Sequence, residues 1–374
     1  MDIIEELKGA CLTKSGQAYR VVCKTGGVLY NQTMTLGFHK HPNGGGLVAD
    51  TAHVAISAFV GEKAVVKDSA RVEGCARIED NAEISGQSWI YGDAHVSGDA
   101  RIFDEARVFG DAQINGNASV YESAWVYGDA KIDDEAEIYG HARVFADAII
   151  EGEAQVYDSA GISGNARVYG KANIYGNAKI FDNARIYDNA EVYDAKVYGF
   201  AQVFDRAKVY RDSPWNDGNL YHGASVYGNA MVHGYARVSG NACVYANATV
   251  NGYEDFVDEE NNSENDYGGA KVSKNARVFG DALLTDFAYV SDDAHVYGNA
   301  FISGHAVFYD GDEEIGEYLQ FKNYKQASIG GRARVFGNAR VYGGAYVFGT
   351  ASVSGDAKIF ARVNDGTLIE GIIK

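Results

Sequence analysis

From Val54 to Val192 an aliphatic residue recurs every six positions without a miss, 24 times in succession and always as Val or Ile. Two residues before each stands Ala, with Ser88 the one exception. The unit reads as in Asn177-Ala178-Lys179-Ile180-Phe181-Asp182. Side chains alternate between the two faces of a strand, so Ala and the aliphatic residue share the inner face. The residue between them and the aromatic that follows point outward. Gly, Asp and Asn then turn the chain, because these types tolerate turn dihedrals and bond to their own backbone. Four strand residues and two turn residues are too few for a hairpin. Repeated turns of one sense wind the chain instead into a triangular coil of 18 residues. Val and Ile suit the flat inner walls, and Ala keeps the interior narrow.

The register breaks in a few places. Val192 to Val197 is a five-residue step, Val203 and Val209 follow, and residues 211–219 loop out. Rungs are expected again at Leu220, Val226, Val232, Val238, Val244 and Val250. Residues 251–269 form a second insertion with seven acids and no base. Val272, Val278, Leu284, Val290, Val296 and Ile302 come next, then a third insertion at 309–328. Ile329, Val335, Val341, Val347, Val353 and Ile359 finish the series, 45 rungs in all, or about fifteen coils. At a strand spacing of ~4.8 Å the rod is roughly 70 Å long. Open coil ends expose unpaired strand groups and need covers. Residues 1–50 are expected to form an N-terminal cap, with a helix over Asp2 to Lys8 and a hairpin of Tyr19 to Cys23 with Val28 to Thr35. The β-helix spans 51–361, and 362–374, with Leu368 to Ile373, are expected to close the other end.

These hexads resemble the bacterial transferase hexapeptide family, in which an aliphatic residue is followed four positions later by a small one. Val168-Tyr169-Gly170-Lys171-Ala172-Asn173 fits that pattern, and the resemblance runs from about Ala52 to Ala361. The overall plan is similar to the YdcK-type group of transferase-like proteins and to related phage-borne chains. There a small N-terminal segment leads through a turn such as Gly45-Gly46-Leu47-Val48 into the helix. The resemblance implies an all-β fold, a single-stranded left-handed parallel β-helix with a small α+β cap. It leaves function open, since that helix hosts acyltransferases, γ-class carbonic anhydrases and binding proteins.

Charge narrows the choice. Lys plus Arg is 33 and Asp plus Glu is 51, a net charge of −18. Direct nucleic-acid binding needs a basic footprint, so a basic protein is the better-matched partner, and an anionic membrane is disfavoured as well. Cys11, Cys23, Cys75 and Cys243 lack metal-finger spacing and read as reduced thiols of a cytoplasmic protein. The first residues carry no signal-peptide pattern. The nine His show no spacing that suits zinc, so no metal is expected. The acidic runs 254–266 and 310–314 lack the spacing of an EF-hand.

Sorting outward residues by rung modulo three gives three faces. One carries Tyr91, Phe109, Tyr127 and Phe145, flanked by Trp89, Arg107, Trp125 and Arg143. A second carries Phe103, Tyr121, Tyr139, Tyr157, Tyr175 and Tyr193. The third is polar, with Ser97, Asn115, Asp133 and Glu151, until Tyr169 and Tyr187. One corner holds Asp93, Asp111, Asp129 and Asp147, each 18 residues from the next. One reading of these faces is that stacked aromatics stabilise neighbouring rungs, by roughly 0.2–1 kcal/mol per pair; the other is that, since Trp, Tyr and Arg dominate binding hot spots, the first face and this corner bind a protein partner or a second copy. A regular column of carboxylates on a rod further suggests an inhibitor that imitates nucleic acid. Against this stands the activity that the resemblance implies, a trimeric acyltransferase using acetyl-CoA. His222, His233 and His305 are its candidate general bases, because loops in such folds often cover active sites. The binding reading requires no cofactor. Ice binding would need ranks of Thr-x-Thr, which the outward positions lack.

Overall fold

The computed structural model describes residues 11–15, 18–25, 28–34, 37–210, 224–234, 236–239, 242–252, 270–285, 288–303, 305–307, 323–325, 327–363, 368–369 and 372–373. It is a parallel β-solenoid with three flat walls. The first wall begins at His53–Val54, continues through Arg71–Val72 and Trp89–Gly92, and is sixteen strands deep. The second begins at Phe59–Val60 and is also sixteen strands deep. The third stacks Leu47–Ala49, Val65–Val66, Glu83–Ile84 and their successors in the same way.

The interior is as the hexad pattern predicts. Rung residues and the preceding Ala are 0% exposed through almost the whole length, from Val60 to Ile359. Ser88, standing where every neighbouring coil has Ala, is buried too, and its hydroxyl donates to the Ser85 carbonyl at 2.7 Å. Wall strands donate to the next coil and accept from the previous one, as in Arg107 N–H to the Ala124 carbonyl at 2.9 Å. Most backbone groups of the walls are thereby paired, with no helix among the described residues. Among the described residues no helix is long and apolar enough to cross a membrane.

Pairing gives the register independently of spacing. Val96 pairs with Ile114, 18 residues on, whereas Ile180 pairs with Val197 across the five-residue step. Val197 then pairs directly with Val226, and Val203 with Val232. The expected rung at Leu220 is therefore corrected, since the wall passes from Val197 to Val226 without it. Leu220 is preceded two residues earlier by Gly218, where every paired rung on either side has Ala. Val250 pairs with Leu284 over the second insertion and Val290 with Ile329 over the third. The walls reach beyond the six-residue series at both ends. Val48 pairs with Val66, while Val363, Ile369 and Ile373 add a strand to each wall after shorter steps.

Near the N-terminus Ala18–Thr25 pairs antiparallel with both Cys11–Ser15 and Val28–Met34, so the expected hairpin is part of a three-stranded sheet. The helix expected over residues 2–8 lies outside the described residues. Phe38–Lys40 runs antiparallel to Leu47–Ala49 at the edge of the third wall. The third insertion leaves the coil through a short antiparallel pair, His305–Val307 with Asn323–Lys325.

Turn chemistry explains why Gly and Asp share one position. Gly86, Gly98 and Gly140 have positive φ there, and so do Asp68, Asp80, Asp104 and Asp134. Gly adopts the left-handed region freely, and Asp is among the residues that tolerate it. Where Asp stands, its carboxylate reaches the next coil: Oδ2 of Asp68 accepts the Gly86 amide at 3.1 Å, and Oδ2 of Asp134 accepts that of Gly152 at 3.0 Å. Glu122 does the same for Gly140 at 2.9 Å. These acids clamp coil to coil.

Candidate functional site

The first wall brings together the aromatic and basic residues singled out above. Arg71, Trp89, Arg107, Trp125 and Arg143 lie in one in-register column. The Arg71 guanidinium lies 5.2 Å from the centre of the Trp89 ring. Arg107 is sandwiched, 5.9 Å from Trp89 and 5.1 Å from Trp125, and Arg143 lies 5.0 Å from Trp125. Alternating cation and indole in this way holds long side chains flat on the wall. Arg71 belongs to this column although the sequence reading left it out; alternation at 18-residue spacing was the signal. Its guanidinium also donates to Glu73 at 2.7 Å.

Beside that column runs a ladder of rings. Tyr91 stacks on Phe109 at 4.7 Å, Phe109 on Tyr127 at 4.8 Å, and Tyr127 on Phe145 at 5.0 Å, with planes within 4° of parallel. On the third wall Phe103, Tyr121, Tyr139, Tyr157 and Tyr175 stack at 4.8–5.0 Å within 6° of parallel, and Tyr193 follows at 4.9 Å with its plane tilted by 26°. On the second wall Tyr169, Tyr187 and Phe204 stack too. Stacking consumes ring faces inside each ladder, so the walls present ring edges and Tyr hydroxyls to a partner. Burial raises the phenols of Tyr91, Tyr121, Tyr157, Tyr169 and Tyr187, and those of Tyr139 and Tyr175 to about 12, with neighbouring acidic groups adding to the effect on these last two. They are neutral hydrogen-bonding groups across the physiological range.

Trp89 carries the one polar side-chain atom, among the described residues, that is buried without a hydrogen-bond partner, its indole Nε1. An unpaired buried N–H costs free energy, so packing against Arg71, Arg107 and Tyr91 holds the ring there. Its ring centre is 4.6 Å from that of Tyr91.

Asp93, Asp111, Asp129 and Asp147 occupy successive positions of one corner and are exposed. Asp93 N–H donates to the Gly110 carbonyl and Asp111 N–H to that of Gly128, which fixes the spacing of the column. Farther along the same corner the chain carries amides. Asn229 donates to Asn247 and Asn247 to Asp281, both at 2.9 Å. Asn299 donates to Asn338 and Asn338 to Asp356, both at 3.0 Å. The corner thus accommodates a self-satisfied amide ladder, yet the four aspartates form an unbroken run of like charge. At ~4.8 Å each neighbouring pair repels by about 1 kcal/mol in water, before salt screening.

The His candidates are placed separately. His233 lies on the second wall, stacked on Phe204 at 4.7 Å and within 1° of parallel, as the last ring of the Tyr169 ladder. Its Nδ1 is 3.7 Å from Oδ2 of Asp205. Burial lowers the His233 pKa, and the Asp205 charge opposes that shift. His305 is in the short antiparallel pair at the base of the third insertion, and His222 lies outside the described residues. His295 stands edge-on to Phe279; burial and then the Arg277 and Arg334 charges lower its pKa. Among the described residues no group of three or more His, Cys, Asp or Glu gathers to hold a metal ion. Neither Cys75 nor Cys243 forms a disulfide among the described residues, and burial pushes the Cys243 thiol up. The acidic runs 254–266 and 310–314 lie outside the described residues.

Residues 329–349 match the family model described as YdcK Beta solenoid repeat. They contain four rungs, Ile329, Val335, Val341 and Val347, and so a little more than the first coil of the last regular stretch. No curated protein matches the chain.

Proposed function

Starting from a chain built of YdcK-type β-solenoid repeats, we propose that it is a rigid acidic scaffold whose first wall and adjoining corner bind a basic protein. The observation that carries this reading is the run of four aspartates at a corner that elsewhere carries an amide ladder. Repulsion along that run opposes folding, and a cationic partner would relieve it. Beside it, the Arg–Trp column and the ring edges supply the apolar and planar contacts that dominate protein interfaces. Carboxylates at a constant spacing along a stiff rod also suit a groove that ordinarily receives nucleic-acid phosphates, which makes a nucleic-acid-mimicking inhibitor the specific form of the proposal.

The test compares the immobilised full chain with a variant carrying Asn at 93, 111, 129 and 147. A basic protein retained by the unchanged chain, released by salt and displaced by duplex DNA, and not retained by the variant, supports the reading. Equal retention by both chains, or displacement that DNA does not cause, removes the corner or the mimicry respectively from the account.

A further inference from the structure

The ring ladder of the first wall stops and starts again. After Phe145 the outward position is Ser163, and rings resume with Phe181, which stacks on Tyr198 at 4.8 Å and within 5° of parallel. The ladder then continues through Tyr227, Tyr245, Phe279, Tyr297 and Phe336. Strand pairing places Arg143 opposite Gly161 and Gly161 opposite Lys179, so just one coil separates Phe145 from Phe181. Each of these two rings is already held parallel to the ladder by its other neighbour, Tyr127 or Tyr198. Two facing rings two strand spacings apart, roughly 9.6 Å, leave room for one ring at the spacing used elsewhere in the ladder.

The other outward position of the same coil is also emptied. Gly161 lies in a wall strand without positive φ, so the backbone does not require Gly there. A Cβ built on it meets nothing within 4 Å. Glycine inside a strand commonly marks a close approach by something else. Around this opening the wall is cationic. Arg143 stacks on Trp125 with one face, whereas Arg107 has an indole on both. Lys179 and Lys196 follow Gly161 in register, both exposed and without an ion-pair partner among the described residues. Three cations at one spot are notable in a chain of net charge −18. Gly161 and Ser163 are two strand residues apart, or roughly 6.7 Å.

We infer that this interruption is a binding slot for a planar aromatic ring bearing an anionic group. The ring enters between Phe145 and Phe181 over Ser163, completing the ladder, and the anion sits over Gly161 among Arg143, Lys179 and Lys196. Nucleoside monophosphates and aryl carboxylic acids both have this chemistry, with ring and anion several ångströms apart.

The test titrates the full chain with adenosine monophosphate, adenosine, 3-phenylpropanoate and inorganic phosphate, followed by ligand-observed NMR. Saturable binding of the monophosphate or the aryl acid, weaker binding of adenosine, and none of phosphate are expected. Binding of the monophosphate alone identifies a nucleotide slot, and binding of both anions a general aryl-acid slot. Ser163→Phe fills the gap with a ring and is expected to weaken binding at least about tenfold while melting no lower than the parent chain. Ser163→Val gives the same readout should Phe disturb the coil. Replacing Arg143, Lys179 and Lys196 with Gln should erase the preference for the anion over adenosine. The inference is overturned if neither anion saturates, if both Ser163 variants bind unchanged, or if phosphate competes as well as the aromatic anions.

Discussion

Oδ2 of Asp292 accepts the amide N–H of Gly331 at 3.0 Å, which ties residues 39 apart in sequence across the third insertion. Lys274 of the preceding coil donates to the other carboxylate oxygen at 2.5 Å. One side chain therefore links three successive coils, at the place where the covalent path leaves the walls.

That link should appear as acid sensitivity. The hydrogen bond from Lys274, then that from Gly331, holds the Asp292 carboxyl below its ordinary value of 3.8. A group depressed by folding stabilises above its unfolded value, and that contribution is lost as pH falls below about 3.8 toward the folded value. Asp292→Asn should lower the urea midpoint at pH 7 and flatten its decline below pH 4. An unchanged decline would mean that other carboxylates govern acid unfolding.

The aspartate corner predicts a substitution that stabilises. Asp111→Asn removes repulsion with both Asp93 and Asp129 and introduces the amide used elsewhere in that column. A gain of about 0.5–1 kcal/mol is expected at low ionic strength, shrinking as salt screens the remaining charges. Denaturant unfolding at two salt concentrations checks both sign and trend.

His233 offers a second pH signature. Burial depresses its pKa from 6.5, so the fold prefers the neutral ring. The contribution is fully present above about pH 6.5 and is lost as pH falls from there toward the folded value. His233→Phe continues the stack on Phe204 and should leave the pH 8 melting temperature equal or higher, with a smaller fall between pH 7 and 5. If acetyl-CoA turnover is detected, the same variant reports whether this ring serves as its base.

At Trp89 a ring without a donor should serve as well as the indole. Trp89→Phe deletes the unpaired Nε1–H and keeps an aromatic between Arg71 and Arg107. Stability within about 0.5 kcal/mol of the parent is expected, against a loss of 1 kcal/mol or more for Trp89→Ala. A large loss for Phe would show that the N–H is bound in solution.

Two glycines should respond in opposite ways to Ala. At Gly86 φ is +68° and a Cβ would stand 2.6 Å from the Asp104 nitrogen, so Ala should cost about 1–2 kcal/mol. At Gly161 the added methyl has open space and an ordinary backbone, and Ala should stabilise by about 0.4–1 kcal/mol. Melting curves of the two variants, measured side by side, settle this.

The six-residue period made the walls, their inward residues and the in-register columns legible, because one buried position repeated far more often than chance allows. Leu220 was misplaced because aliphatic spacing alone was followed there; the absent Ala two residues earlier was the better guide. Val363, Ile369 and Ile373 escaped because shorter turns break the period while strand pairing continues. Asp68 and Asp134 looked like generic turn formers. Their clamp on the next coil depends on a side-chain direction set by positive φ, which spacing does not reveal. For the candidate site, sequence located the columns and offered stacking between neighbouring rungs as one reading of their rings, which the parallel ladders bear out; how far stacking leaves only ring edges outward depends on ring orientation, which spacing does not reveal.

Because each wall position meets its like 18 residues later, the rod's length comes in whole units, and residues can be removed a coil at a time without disturbing the neighbours. Excising residues 154–171 would bring Phe145 directly beneath Phe181 and turn two ladders into one. Seen this way, the coil bearing Gly161 and Ser163 is a spacer whose one distinguishing property is the distance it keeps open.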